Sequence, residues 1–317
     1  MRVRCLAIAI AVAFSAPTVP AASLYVASNL SDEVARFDAN TGAFIETFIA
    51  DDGNLSQPHQ MRFGPDGNFY VASFGNHQIN RYDGTTGAFI NAFASDPALN
   101  QPVDFFFHND GNLYVTSQGN DRIVRFNSLT GNFVDTFAIN PALDGPSGFA
   151  FGPDGNLYVS GRFSNNITRF DSTGSFVDTF ADNTDGLSQP FGLRFSIDDD
   201  LFVGNGNTNE VLEFDPTNSS LPPVTFASGN GLSFNIGLEF GTDDDLFVAS
   251  FNNDTIKRFD GTTGAFISDF AVPSGSVPDG TNFLYFGPDP GVIPEPTRAL
   301  LLITGLTATL LIRRRPS

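Results

Sequence analysis

Cysteine is nearly absent: the 317 residues contain one, Cys5. No disulfide framework can therefore hold the fold together, and the Cys–His patterns of structural zinc sites are excluded. Tryptophan is missing altogether, while phenylalanine is abundant, with 35 Phe beside 6 Tyr. A core built this way relies on layers of flat, stiff rings. Basic residues are scarce, 16 against 35 acidic ones, for a formal charge of −19. Arg2, Arg4, Arg298, Arg313, Arg314 and Arg315 all lie in the two end segments, so the middle of the chain is more acidic still. Such a surface repels a phosphate backbone and excludes nucleic acid as a partner. It suits a solvated extracellular surface or one that meets divalent cations. No phosphate loop and no Ser-His-Asp spacing occurs.

The ends have their own grammar. Arg2 and Arg4 precede an apolar run from Leu6 to Phe14, and residues 15–23 are small and proline-rich. That order of charge, apolar run and small residues predicts a secretory signal over residues 1–22, removed by signal peptidase. Cys5 lies ahead of the apolar run, which is the wrong place for a lipoprotein signal. At the other end stand Pro294, Glu295 and Pro296, then an apolar stretch from Ala299 to Ile312, then Arg313, Arg314 and Arg315. As a helix that stretch is about 21 Å long at ~1.5 Å per residue, short of a hydrocarbon core of about 30 Å. It suits a transient inner-membrane span, with the arginines held on the cytoplasmic side.

The order of Pro-Glu-Pro, short apolar helix and arginine cluster resembles the PEP-CTERM sorting domain. The resemblance implies recognition by an exosortase, a membrane-embedded cysteine transpeptidase, and cleavage near Pro-Glu-Pro. It also implies export from a Gram-negative bacterium that makes exopolysaccharide. The expected divisions are 1–22 signal, 23–290 folded domain and 291–317 sorting tail, with the product at the cell surface or in the extracellular matrix.

Between the ends one signature recurs. It begins at Leu24, Phe69, Leu113, Leu157, Leu201 and Leu246 and reads Leu-Tyr-Val-Ala-Ser or a close variant. The spacing of 44 or 45 residues marks six copies of one supersecondary unit. Each unit holds four short strands, A to D. Strand A runs into turns such as Gly64-Pro65-Asp66-Gly67, B is the signature, C ends in Arg-Phe-Asp, and Thr86-Gly87 marks the turn to D. Continuous apolar strands such as Phe105-Phe106-Phe107 predict sheets covered on both faces. The first copy lacks strand A, and an unmatched strand A at residues 282–289 follows the last copy. The expectation is an all-β, six-bladed β-propeller of four-stranded blades, with the last strand completing the first blade. Asn76 to Tyr82 resembles the NHL repeat. Pro146 to Tyr158 is similar to repeats of NHL and streptogramin-lyase-like propellers, and Val248 to Asp260 resembles the YVTN repeat of surface-layer proteins.

In this architecture the D–A and B–C connections share one face. Channel-lining positions are expected at the start of each strand A: His59-Gln60, Val103-Asp104, Ser147-Gly148, Phe191-Gly192, Ile236-Gly237 and Asn282-Phe283. Gluconolactonase-like propellers would hold calcium there through Glu, Asn and Asp, and no Glu aligns at these positions. Streptogramin lyases would use a His base and a metal; His59 is the histidine that aligns with the channel, and Asp104 is the other catalytic candidate. His77 reads as a B–C turn residue and His108 as an A–B turn residue. Asp198 to Asp200 and Asp243 to Asp245 read as A–B turns rather than calcium loops. On the D–A and B–C face, Phe74, Asn76, Phe163, Asn165, Phe251 and Asn252 combine rings with amides in the manner of a sugar-binding surface. Two functions follow. The first is a non-catalytic binding or scaffold module, with exopolysaccharide as the ligand. The second is a lyase or lactonase that depends on calcium or another divalent metal in the central channel.

Overall fold

The computed structural model describes residues 22–218, 221–271 and 279–290. The signal segment and the sorting tail, with Pro294, Glu295, Pro296 and the three terminal arginines, lie outside the described residues. Among the described residues there are 24 strands in six four-stranded antiparallel sheets, and no helix long and apolar enough to cross a membrane.

Blade 1 contains β1 (Ala22–Ser28), β2 (Glu33–Asp38) and β3 (Phe44–Ile49). Blade 2 contains β4 (Pro58–Phe63), β5 (Phe69–Ser73), β6 (Gln78–Tyr82) and β7 (Phe89–Ala94). Blade 3 contains β8 (Pro102–Phe107), β9 (Asn112–Ser117), β10 (Arg122–Asn127) and β11 (Phe133–Ile139). Blade 4 contains β12 (Pro146–Phe151), β13 (Leu157–Gly161), β14 (Asn166–Phe170) and β15 (Phe176–Ala181). Blade 5 contains β16 (Pro190–Phe195), β17 (Leu201–Asn205), β18 (Glu210–Phe214) and β19 (Val224–Ser228). Blade 6 contains β20 (Asn235–Phe240), β21 (Leu246–Ser250), β22 (Thr255–Phe259) and β23 (Phe266–Ala271), and β24 (Thr281–Pro288) lies beside β1 in the sheet order β24-β1-β2-β3.

The recurring signature is buried because it serves two cores at once. Along β1, Leu24 and Val26 enter the apolar core shared with blade 6, and Tyr25 and Ala27 enter the one shared with blade 2. Alternate side chains point to opposite faces, so a strand covered on both sides must be apolar throughout. The tyrosines add a polar function: Tyr70, Tyr114 and Tyr158 donate to Asp66, Asp110 and Asp154 in the preceding turns, at 2.9, 2.8 and 3.2 Å. In blades 5 and 6 the tyrosine is replaced by Phe202 and Phe247, and the turns there carry Asp199 and Asp244 at positive φ.

The glycine of the C–D turn has a reason beyond its positive φ. A Cβ on Gly87 would sit 1.9 Å from the carbonyl oxygen of Phe48 in the neighbouring blade. Gly42 stands in the same relation to Phe270, joining blade 1 to blade 6. A second device repeats at every junction. Asp32, His77, Asp121, Asn165, Asn209 and Asp254 all have φ between +53° and +59°. Each side chain accepts a hydrogen bond from a backbone N–H just ahead of the next blade's first strand, at 2.5–3.1 Å. After glycine, Asp, Asn and His are the residues that tolerate this left-handed geometry best.

Candidate functional site

The first strands of the blades touch one another around the channel. Their second and third residues are the aligned pairs named above, and all of them are buried except His59, which is half-buried. They fall into two kinds. Gly148, Gly192 and Gly237 let neighbouring backbones approach so closely that a Cβ would meet a carbonyl oxygen at 2.4–2.8 Å. Gln60 and Asp104 occupy the same position in blades 2 and 3. At the D–A and B–C end, Val103, Phe191, Ile236 and Phe283 close the channel with an apolar cluster, flanked by Phe74, Phe234 and Phe251.

His59 stands at this end. Its ring stacks on Phe74 at 4.7 Å, and its Nδ1 lies 3.0 Å from the Gln57 carbonyl oxygen. Burial pushes its pKa down to about 4, against the pull of that carbonyl, and the charge of Arg162 adds to the fall. The neutral ring is thus the folded form. In the unfolded chain the ring takes up its proton near 6.5. Stability from this group is fully present above about pH 6.5 and is lost as pH falls toward about 4. Replacing His59 by Gln is expected to remove that portion of the acid sensitivity, read as melting temperature across pH 4–7.

Asp104, 1% exposed, is committed elsewhere. Its carboxylate accepts from the backbone N–H groups of Phe105 and Phe149, at 2.8 and 3.3 Å. Arg62 and Arg194 lie 3.5 and 3.7 Å away. Two guanidinium groups this close repel a divalent cation, so these residues do not fit calcium. Among the described residues no three His, Cys, Asp or Glu side chains group as they would around a metal. At the aligned channel positions, Gln60 Nε2, Ser147 Oγ and Asn282 Oδ1 have no hydrogen-bond partner among the described residues.

The residues expected to bind ligand separate by type. Phe74 and Phe251 join the aromatic wall of the mouth, and Phe163 is 53% exposed beside it. The amides brace loops. Asn165 is a blade latch, Asn76 donates to the Asn54 carbonyl, and Asn252 donates to Ser233 Oγ. His77 is likewise a latch, through Nδ1. His108 sits in its A–B turn, with Nδ1 3.1 Å from Asp110.

Arg162 is absent from the sequence-based candidates and belongs among them. Its guanidinium lies 4.5 Å over the Phe191 ring and 5.3 Å over Phe163. Among the described residues it has no ion-pair partner, its Nε has no hydrogen-bond partner, and desolvation alone lowers its pKa. The other functional feature missed was the opposite end of the channel. The fifth residues of the first strands are Arg62, Phe106, Ala150, Arg194, Glu239 and Tyr285, one from each blade, and they line a chamber of about 310 Å³. Glu239 lies outside the aligned positions at the strand starts: it stands near the strand's end and accepts from Arg194 Nε at 2.9 Å.

With this geometry the comparisons can be read. A family model described as a repeat of unknown function (DUF6923) matches residues 24–171, from β1 to the end of β14. No curated protein matches the chain. Among solved structures, a chain of a nidogen/laminin complex superposes with a TM-score of 0.68 at 16% identity, covering 84% of this chain and 98% of that one. A protein of unknown function from Bacteroides caccae gives 0.66 at 12% identity, with coverage of 84% and 98%. Virginiamycin B lyase from Staphylococcus aureus gives 0.60 at 17% identity, with coverage of 84% and 88%. The shared feature is the fold. This chain is a six-bladed β-propeller. Propellers carry unrelated activities, so its function has to be argued from its own side chains.

Proposed function

We propose that this propeller is an exported surface or matrix module that holds an exopolysaccharide across its D–A and B–C face without turning it over. The observation that carries the reading is Arg162 beside Phe163: a cation without a counter-ion among the described residues, in a chain of net charge −19, next to an exposed ring. Aromatic rings accept the apolar C–H face of a sugar, and a guanidinium takes a carboxylate in fork geometry. The polymer is one with widely spaced acidic groups. It presents a single charge to Arg162, where a nucleic acid would meet the acidic surface at every phosphate. The catalytic candidates support a binding role, since His59 and Asp104 are tied to separate partners. Export by the signal segment and processing of the tail by an exosortase belong to the same reading, as does closure of the ring by β24 as the step that stabilises the exported domain.

The test compares an exopolysaccharide carrying one uronate per repeat with its carboxyl-reduced form. Binding is expected to weaken tenfold or more on reduction, and likewise in Arg162→Gln and Phe163→Ala. Phe163→Ala is preferable to Phe251→Ala, because Phe251 packs into the mouth cluster. Equal binding of the reduced polymer would remove the role of Arg162. Turnover of uronate polymers or lactones that disappears in His59→Ala would make the channel an enzyme site instead.

A further inference from the structure

The ten basic side chains among the described residues divide sharply. Eight donate a hydrogen bond to a carboxylate, hydroxyl, amide or carbonyl oxygen. The remaining two are Arg162 and, at the opposite end of the channel, Arg62. The Arg62 side chain is only 17% exposed, yet its nearest carboxylate, Asp104, is 3.5 Å away, beyond the 2.7–2.9 Å of a charge-assisted hydrogen bond. Its Nε has no hydrogen-bond partner among the described residues. The guanidinium packs over Phe105 and Phe106, at 5.5 and 5.3 Å. Leaving a buried guanidinium N–H such as this Nε–H unmet is costly.

Around Arg62 the chamber offers a specific set of groups. Glu239 is partly exposed and accepts hydrogen bonds. Tyr285 supplies a phenol from β24. Phe106, Phe149, Phe151 and Phe195 supply apolar walls. Arg194 is held by Glu239 and by the Leu193 carbonyl, whereas Arg62 makes no hydrogen bond among the described residues and is paired only loosely, at 3.5 Å, with Asp104.

We propose that this chamber, at the A–B turn end of the channel, is a second binding site that takes a small hydroxylated carboxylate of the sugar-acid class. The carboxylate lies on the Arg62 fork, a hydroxyl donates to Glu239, and the C–H face of the sugar ring packs on the phenylalanines. The volume of about 310 Å³ admits one monosaccharide unit. The site is independent of the polymer surface around Arg162, since it uses the opposite mouth and a different cation.

The chain's lack of tryptophan provides the readout. Phe106, 39% exposed at the rim, is replaced by Trp in the full chain to give a single indole fluorophore. Titration with D-galacturonate is expected to give a saturable fluorescence change. D-galactose, which lacks the carboxylate, is expected to bind at least tenfold more weakly. Adding Arg62→Gln is expected to weaken galacturonate at least tenfold, and adding Phe163→Ala to leave it unchanged. If Arg62→Gln does not fold, Tyr285→Phe serves in its place, with a severalfold loss expected. No saturable response to galacturonate, or equal responses to galacturonate and galactose, would overturn the proposal.

Discussion

A chain ending at residue 271, and so lacking β24, is expected to lose most of the stability of the domain. The strand contributes to the structure in three ways. It forms a ladder with β1 from Ala22↔Pro288 to Ser28↔Thr281. It places Phe283 and Leu284, each 1% exposed, in the channel cluster and in the core between blades 6 and 1. It also touches the first strands on both sides, β4 and β20. Two fully buried side chains are worth about 1.5–3 kcal/mol each, and the lost ladder adds to that. The sum is comparable with the about 5–15 kcal/mol that holds a typical domain. The truncated chain is expected to melt about 10–20 °C lower, at about 2–4 °C per kcal/mol for a large domain, or to lose cooperativity. A circular permutant separates ring closure from simple loss of core. Pro288 pairs directly with Ala22, so a short turn can join them and make blade 1 continuous, with new termini in the 272–278 segment. The permutant keeps every pairing and is expected to melt within a few degrees of the parent. A truncated chain that melts with the parent would show that the ring does not depend on β24.

How much of this was legible in the sequence depends on what each residue does. The six-fold repeat was plain, because every blade solves the same two-sided packing problem with the same Leu-Tyr-Val run. The turns were plain too, since positive φ and Asx hydrogen bonds restrict residue choice. The latches were only half visible. His77 and Asn165 are identifiable as B–C residues, but that their side chains reach the next blade depends on an inter-blade distance no sequence states. The chamber was invisible for a related reason. Arg62, Phe106, Ala150, Arg194, Glu239 and Tyr285 share a repeat position but not a chemistry, so alignment marks the position without suggesting a site. Phe105-Phe106-Phe107 shows the ambiguity well: Phe105 and Phe107 pack in the core between blades 2 and 3, while Phe106 lines the chamber. Arg162 went unnoticed because an arginine beside a phenylalanine also occurs in the Arg-Phe-Asp strand ends. There, as with Arg36 and Arg169, the cation is paired with a carboxylate.

Replacing Asp104 by Ala is expected to cost about 3–5 kcal/mol, the usual penalty for removing one partner from a buried ionic cluster. The carboxylate is fully enclosed and meets two backbone N–H groups and two guanidinium groups. Alanine takes this acceptor from all four. Arg194 keeps Glu239 as a partner, whereas Arg62 is left with no carboxylate within ion-pair distance. At about 2–4 °C per kcal/mol, the melting temperature is expected to fall by about 10–15 °C. Asp104→Asn keeps an acceptor for the Phe105 N–H but removes the charge, so an intermediate loss is expected. Arg62→Gln on its own should cost less than Asp104→Ala, and the double variant should cost less than the sum of the two, because the charge that Asp104→Ala exposes has been removed. A residue serving as a catalytic base in the channel predicts a different pattern: a melting temperature within a few degrees of the parent and lost turnover. Calorimetry on the four proteins distinguishes the two. Full additivity in the cycle would show that Asp104 does not act through Arg62, and an unchanged melt in Asp104→Ala would return it to the list of free functional carboxylates.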